Sequence, residues 1–195
     1  MTLMMMTLNS RLFFRLFFFL ELAVLPSCHY QFGHGQLASQ YRTISIPYVE
    51  GDRNGNLTTE IIKKISTSGA FVYVQSGGEL QLNVKILGMK DRNIGFRYDR
   101  KRDEKIKHSI IPAESRYTLI AEVSILDTVK NEIVRGPTQM TAKLDFDYDY
   151  YKVQHGVNVF SLGQVNDVDS ARDAARVPLD SKLADLIVEY VVSSW

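Results

Sequence analysis

Leu80-Gln81-Leu82-Asn83-Val84-Lys85-Ile86 places an aliphatic side chain at every second position and a polar one between. Successive side chains of an extended strand point to opposite faces, so this spacing predicts a strand buried on one face only. Gly88 marks a bulge, after which the strand runs on through Ile94, Phe96 and Tyr98. The same period returns in Tyr117, Leu119, Ala121, Val123 and Ile125, the inward face of a further strand. Asp127 to Asn131 is a turn, and Ile133 to Tyr151 is another strand, broken at Gly136-Pro137.

Upstream, Ile44 and Ile46 alternate with Thr43 and Ser45 within a strand spanning Tyr41 to Val49, and Pro47 marks its end or an edge position. Gly51-Asp52-Arg53-Asn54-Gly55-Asn56 is a turn cluster in which Asn54 or Asn56 caps a helix. That helix has Leu57, Ile61, Ile62 and Ile65 on one face, with Thr58, Lys63 and Lys64 outward, and stops at Ser68-Gly69. Ala70 to Gln75 is β-branched and aromatic, a strand that completes a right-handed β-α-β unit. Ser76-Gly77-Gly78 then turns tightly. At the other end, residues 152–166 form a loop and Asp167 to Val192 a helix, with Leu183, Leu186, Ile187, Tyr190 and Val191 as its apolar stripe. Pro178 kinks this helix or starts its second part. The order β-α-β-β-β-β-α predicts an α+β two-layer sandwich: two helices on one face of a mostly antiparallel, four- to five-stranded sheet. The 195 residues fit one domain, here 41–195.

Ahead of it stands a different kind of sequence. Arg11 and Arg15 precede an apolar run centred on Phe17, Phe18 and Phe19, which ends at Leu25-Pro26-Ser27-Cys28. A positive segment followed by a short apolar one is the layout of a secretory signal. The run is shorter than the roughly 20 apolar residues that span a bilayer. Cys28 is the single cysteine, so an internal disulfide is excluded. Leu25 and the small Ser27 before it give the pattern of a lipobox, where the thiol is joined to diacylglycerol and the chain is cut in front of it. Residues 1–27 are then a lipoprotein signal peptide, and 28–40, with Gly, His and Gln and no periodicity, a tether. Glu21 interrupts the apolar run, and the competing reading is an uncleaved N-terminal anchor or a start at Met4, Met5 or Met6. Removing Arg11, Arg15 and Glu21 from 23 basic and 22 acidic side chains leaves 21 of each, a neutral mature chain. Bulk nucleic-acid binding, which needs a basic excess, is not expected.

Local chemistry is concentrated in one place. Arg97, Arg100, Lys101, Arg102, Lys105 and Lys107 crowd a segment also holding Asp99, Asp103 and Glu104, read as a long hairpin tip or loop. Such clustering raises a local positive potential, and guanidinium forks suit phosphates and carboxylates. A ligand with several anionic sugars or phosphates matches; a solvated, mixed-charge tip is the plain alternative. Asp145, Asp147 and Asp149 alternate with Phe146, Tyr148 and Tyr150, giving a carboxylate face and a ring face. Carboxylates two apart on a strand stand about 7 Å from each other. That is too splayed to wrap one calcium ion, so a solvated or edge-protecting face is expected. His29, His34, His108 and His155 have no supporting ligands or triad spacing. No nucleotide, hydrolase or zinc motif is present. No catalytic residue, metal or cofactor is therefore expected, and the chain reads as a non-enzyme.

Taken together, the Cys28 lipobox, the short tether, Ile44-Ser45-Ile46-Pro47, the 57–66 helix, the Gly77-Gly78 hairpin, Glu79-Leu80-Gln81-Leu82, Asp145-Phe146-Asp147-Tyr148 and the last amphipathic helix resemble the lipopolysaccharide-assembly lipoprotein family, LptE, over roughly residues 28–192. The resemblance implies an outer-membrane lipoprotein facing the periplasm, seated as a plug in an LptD-like β-barrel partner. It implies that Arg97 to Lys107 meet lipid A phosphates or acidic core sugars of lipopolysaccharide, while Phe146, Tyr148 and Tyr150 pack on the barrel lumen. His29, rather than Asp, after the cysteine removes the usual inner-membrane retention signal. The reading from a different class is an envelope lipoprotein module that binds another protein or peptidoglycan.

Overall fold

The computed structural model describes residues 35–100, 106–148 and 168–193. Its elements are α1 (Gln36–Gln40), β1 (Thr43–Ser45), α2 (Asn56–Ser68), β2 (Val72–Val74), β3 (Leu80–Arg100), β4 (Ile106–Asp127), β5 (Glu132–Asp147) and α3 (Val168–Val192). The strands form one five-stranded sheet in the order β2-β1-β3-β4-β5. Pairing is parallel around β1 and antiparallel from β3 to β5. The expected α+β sandwich is the observed architecture. Gln36–Gln40, read as tether, form an additional helical turn whose Leu37 is buried.

The alternating strands behave as their spacing predicts. Leu80, Leu82 and Val84 of β3 and Tyr117, Leu119, Ala121, Val123 and Ile125 of β4 are buried. Leu57, Ile61 and Ile65 of α2 and Leu179, Leu183, Ile187 and Val191 of α3 join them in one core. Each such aliphatic side chain taken from water stabilises the fold by about 1.5–3 kcal/mol. Gly88 is the site of a register shift between β3 and β4, as expected of a bulge. Arg172 of α3 donates to Asp91 Oδ2 of β3 at 2.8 and 3.0 Å, fastening the first half of the helix. Pro178 lies inside α3, which runs through it.

Several expectations need correction. β1 has three residues and lies inside the sheet, so Pro47 marks an end and not an edge. β2 and β3 are not a hairpin: each pairs in parallel with β1, on opposite sides. The link 75–79 crosses the β1 backbone at Gly78, where an added Cβ would stand 2.6 Å from Ser45 N. Glu79 secures the crossing by accepting the Arg42 and Thr43 backbone N–H groups at 2.5 and 3.1 Å. Those two bonds hold its carboxyl below the usual carboxylate range.

Neither Asn54 nor Asn56 caps α2; Gly55, in the left-handed region at φ 71°, takes that place. The capping bond comes from Asp52, whose Oδ2 accepts Thr58 N–H and Thr58 Oγ1–H, both at 2.9 Å. Thr58 is thereby turned inward, and its Oγ1 accepts the Val49 N–H at 3.2 Å. On α3, Leu186 is exposed and Tyr190 half-buried, while Leu179 and Ala184 supply the burial expected of them.

Candidate functional site

β5 pairs with β4 only as far as Asp147 opposite Glu114. Beyond that point β3 and β4 continue, with Phe96 opposite Pro112, Tyr98 opposite Ile110 and Arg100 opposite Ile106. The segment read as a hairpin tip or loop is thus largely a two-stranded ribbon, at about 3.3 Å per residue. The period-two pattern sets its faces. Phe96, Tyr98 and Ile110 share one face and are 60%, 64% and 63% exposed. Arg97 and Ile111 lie opposite each other on the second face, where Ile111 is buried. Water gains nothing from solvating two rings and an isoleucine side by side, so a face of this kind marks an interaction surface.

The backbone brings Arg97, Arg100 and Lys107 to the far end of this ribbon. The side chains of Arg100 and Lys107, and Lys101, Arg102 and Lys105 entirely, lie outside the described residues. Cys28, the signal segment, most of the tether, His29, His34, His155 and the loop 152–166 also lie outside them.

The acid-and-ring stretch of β5 is committed to the fold. Arg116 stands opposite Asp145 and binds it through two bonds of 2.7 Å. This guanidinium holds the Asp145 carboxyl below its ordinary range, so that carboxylate already has its counter-charge within the sheet. Phe146 packs edge-on against Tyr117, with ring centroids 6.3 Å apart. Tyr148 is buried, and its hydroxyl donates to Asn93 Oδ1 at 3.1 Å. Phe146 and Tyr148 therefore face inward and are not available to line a barrel. Asp149 and Tyr150 lie outside the described residues. Among the described residues, no group of three or more His, Cys, Asp or Glu gathers as a metal site. No described helix is long and apolar enough to cross a membrane.

In the sequence the neighbouring cations outweigh the rings that the ribbon exposes. Their signal was present, in Phe96 and Tyr98 two residues apart in a strand that had left the body of the sheet.

No protein-family model matches the sequence, and a search of curated proteins finds no significant match. Among solved structures, the chain is similar to a minor lipoprotein from Acinetobacter baumannii, at 14% identity and a TM-score of 0.46 over 77% of this chain and 90% of that one. It is similar to the rare lipoprotein B from Shewanella oneidensis at 12% identity and a TM-score of 0.46, over 76% and 92%. Lipoprotein B from Nitrosomonas europaea gives 10% identity and a TM-score of 0.47, over 78% and 83%.

Proposed function

We propose that this chain is an envelope lipoprotein, held at the outer membrane through Cys28 and facing the periplasm, that assists lipopolysaccharide transport and assembly as the plug of an LptD-like β-barrel. The observation that carries the reading is the ribbon. Its exposed apolar face, Phe96, Tyr98 and Ile110, lies on strands whose joining stretch of sequence, residues 97–107, holds six cations. An anionic amphiphile has the matching pair of features, acyl chains and phosphates. Guanidinium groups bind phosphates bidentately, and the rings offer rigid apolar area at small entropic cost. Lipid attachment at Cys28 would confine the domain to the membrane surface and raise its effective concentration near the barrel. The role is binding and positioning, without catalysis.

Charge reversal of Arg100, Lys101 and Arg102 tests it. Losing three charge-assisted contacts weakens lipopolysaccharide binding by tenfold or more, on the order of 1.4 kcal/mol or above, while thermal unfolding is unchanged. Unaltered binding removes the ribbon from the mechanism. Mass spectrometry of the N-terminus from native envelopes checks the anchor: a bare thiol with residues 1–27 attached refutes it. Recovery of a soluble or wall-bound partner in place of a large barrel in a pull-down refutes the plug role and favours the module reading.

A further inference from the structure

The sheet face turned away from the helices holds a second, differently built site. Between the core positions Leu82, Val84 and Ile86, the polar residues Asn83 and Lys85 point outward, opposite Ser124 and Glu122 of β4. The chain after β1 runs beside this floor: Glu50 N–H donates to the Val84 carbonyl at 3.0 Å, and Ile86 N–H to the Glu50 carbonyl at 2.8 Å. Tyr48 and Glu50 wall the cleft, whose volume is about 320 Å³. That lies within the range of small-ligand sites, about 300–1,000 Å³.

Tyr48 is the informative residue. Its ring is 62% exposed. Yet its hydroxyl donates to the Asp52 carbonyl, and the ring rests against Gly55, where an added Cβ would meet it at 3.6 Å. An exposed aromatic fastened at its polar end is a fixed platform, with little rotamer freedom left to lose on binding. The floor is pre-set as well. Gln81 Nε2 donates to Asn83 Oδ1 at 2.7 Å, so Asn83 offers its amide NH2 as a donor. Glu50 neutralises Lys85 at 2.7 Å, and Glu122 adds a carboxylate acceptor. With its one lysine already paired and a second carboxylate beside it, the cleft does not favour phosphate.

We propose that this cleft binds one uncharged hexose unit of an oligosaccharide, its C–H face stacked on Tyr48 and its hydroxyls bonded to Asn83, Glu122 and Ser124. A sugar ring presents an apolar face and an equatorial rim of paired donors and acceptors, and the cleft offers the complement of each. The inference does not depend on the lipidation of Cys28. Two sources share the chemistry, N-acetylated glycan strands and neutral core saccharides, and the test separates them.

The full chain in detergent is titrated with tetra-N-acetylchitotetraose, with maltotetraose and with inorganic phosphate, followed by amide NMR shifts. Saturable shifts at Asn83, Glu122 and Ser124 are expected with at least one of the two saccharides, and which one identifies the source. Tyr48→Ala weakens that binding by about tenfold, whereas Tyr48→Phe, which keeps the ring, stays within about threefold. Glu122→Gln, which keeps shape and removes the charged acceptor, weakens it by about fivefold. Unchanged thermal unfolding of the three variants shows that the losses are local. No shift with either saccharide, shifts that survive Tyr48→Ala, or phosphate bound as well as the sugars overturns the proposal.

Discussion

Gly78→Ala probes the crossing on which the sheet order rests. A Cβ at this position would stand 2.6 Å from Ser45 N, 2.9 Å from Ile44 C and 3.0 Å from Leu80 O. All three are backbone atoms, so no side chain can swing aside. Relief requires the link to rise by about 1 Å, since carbon contacts settle near 3.5–4.0 Å. The parallel seam between β1 and β3 has two register pairs, Ile44 with Leu80 and Ser45 with Gln81, and the buried Ser45 Oγ–H donates to Leu80 O at 3.1 Å. Such a lift takes that bond out of range. Overpacking costs about 1–3 kcal/mol, and a buried polar group left unpaired about 1–3 kcal/mol more. A total of about 2–6 kcal/mol follows. Gly77→Ala is the control: its φ is +73° with nothing within 4 Å of the added Cβ, so it costs only the left-handed backbone penalty, about 1–2 kcal/mol. Urea unfolding followed by circular dichroism separates the two. With a slope of about 1–3 kcal/mol/M, Gly78→Ala moves the midpoint by about 1 M or more, beyond the shift for Gly77→Ala. Equal shifts, or a larger one for Gly77→Ala, refute the close-approach argument.

Asp127 closes the β4–β5 turn from a buried position, accepting Val129 N–H at 2.9 Å, Lys130 N–H at 3.0 Å and Tyr41 Oη–H at 2.8 Å. Asp127→Ala removes all three bonds at once, so a larger loss is expected in urea unfolding than for Tyr41→Phe, which removes one. The same bonds hold the Asp127 carboxyl below its ordinary range, as backbone bonds do for Glu79. Depressed carboxyls contribute stability that is fully present above the unfolded pKa, about 4, and lost as pH falls through the folded values. Asp180 is opposed in sign, because burial raises its pKa despite Arg176. Unfolding free energy measured from pH 6 to pH 2 therefore declines below about pH 4, and Asp127→Ala flattens that decline; an unchanged slope refutes the assignment.

The long strands were legible because one face of each meets the core and the other water, which writes period two into the chain. β1 was legible as a strand from Ile44 and Ile46, but not as a central one: Ser45 between them reads as an outward residue and is buried as well. The Gly77-Gly78 pair reads as a hairpin because tight turns and close crossings both select glycine; only the pairing partner distinguishes them. Thr58 has the polarity of a surface residue and is buried because Asp52, six residues earlier, demands it as a partner. Leu186 continues the spacing of α3 past the width of the surface the helix can cover. At the ribbon, the cations were legible as composition, whereas the apolar face exists only once two strands are placed in register. The Tyr48 cleft is assembled from a loop and two strands and leaves no local mark.

The ribbon also sets a length. Tyr41 bonds to Asp127, which pairs with Leu80, so the chain joins the sheet at the end where β3 begins. From Leu80 to Arg100 the strand path is about 60 Å. A bilayer with its headgroups is about 40–45 Å thick. Measured along that strand, a contact made where β3 begins and one made at Arg100 are therefore farther apart than a bilayer is thick.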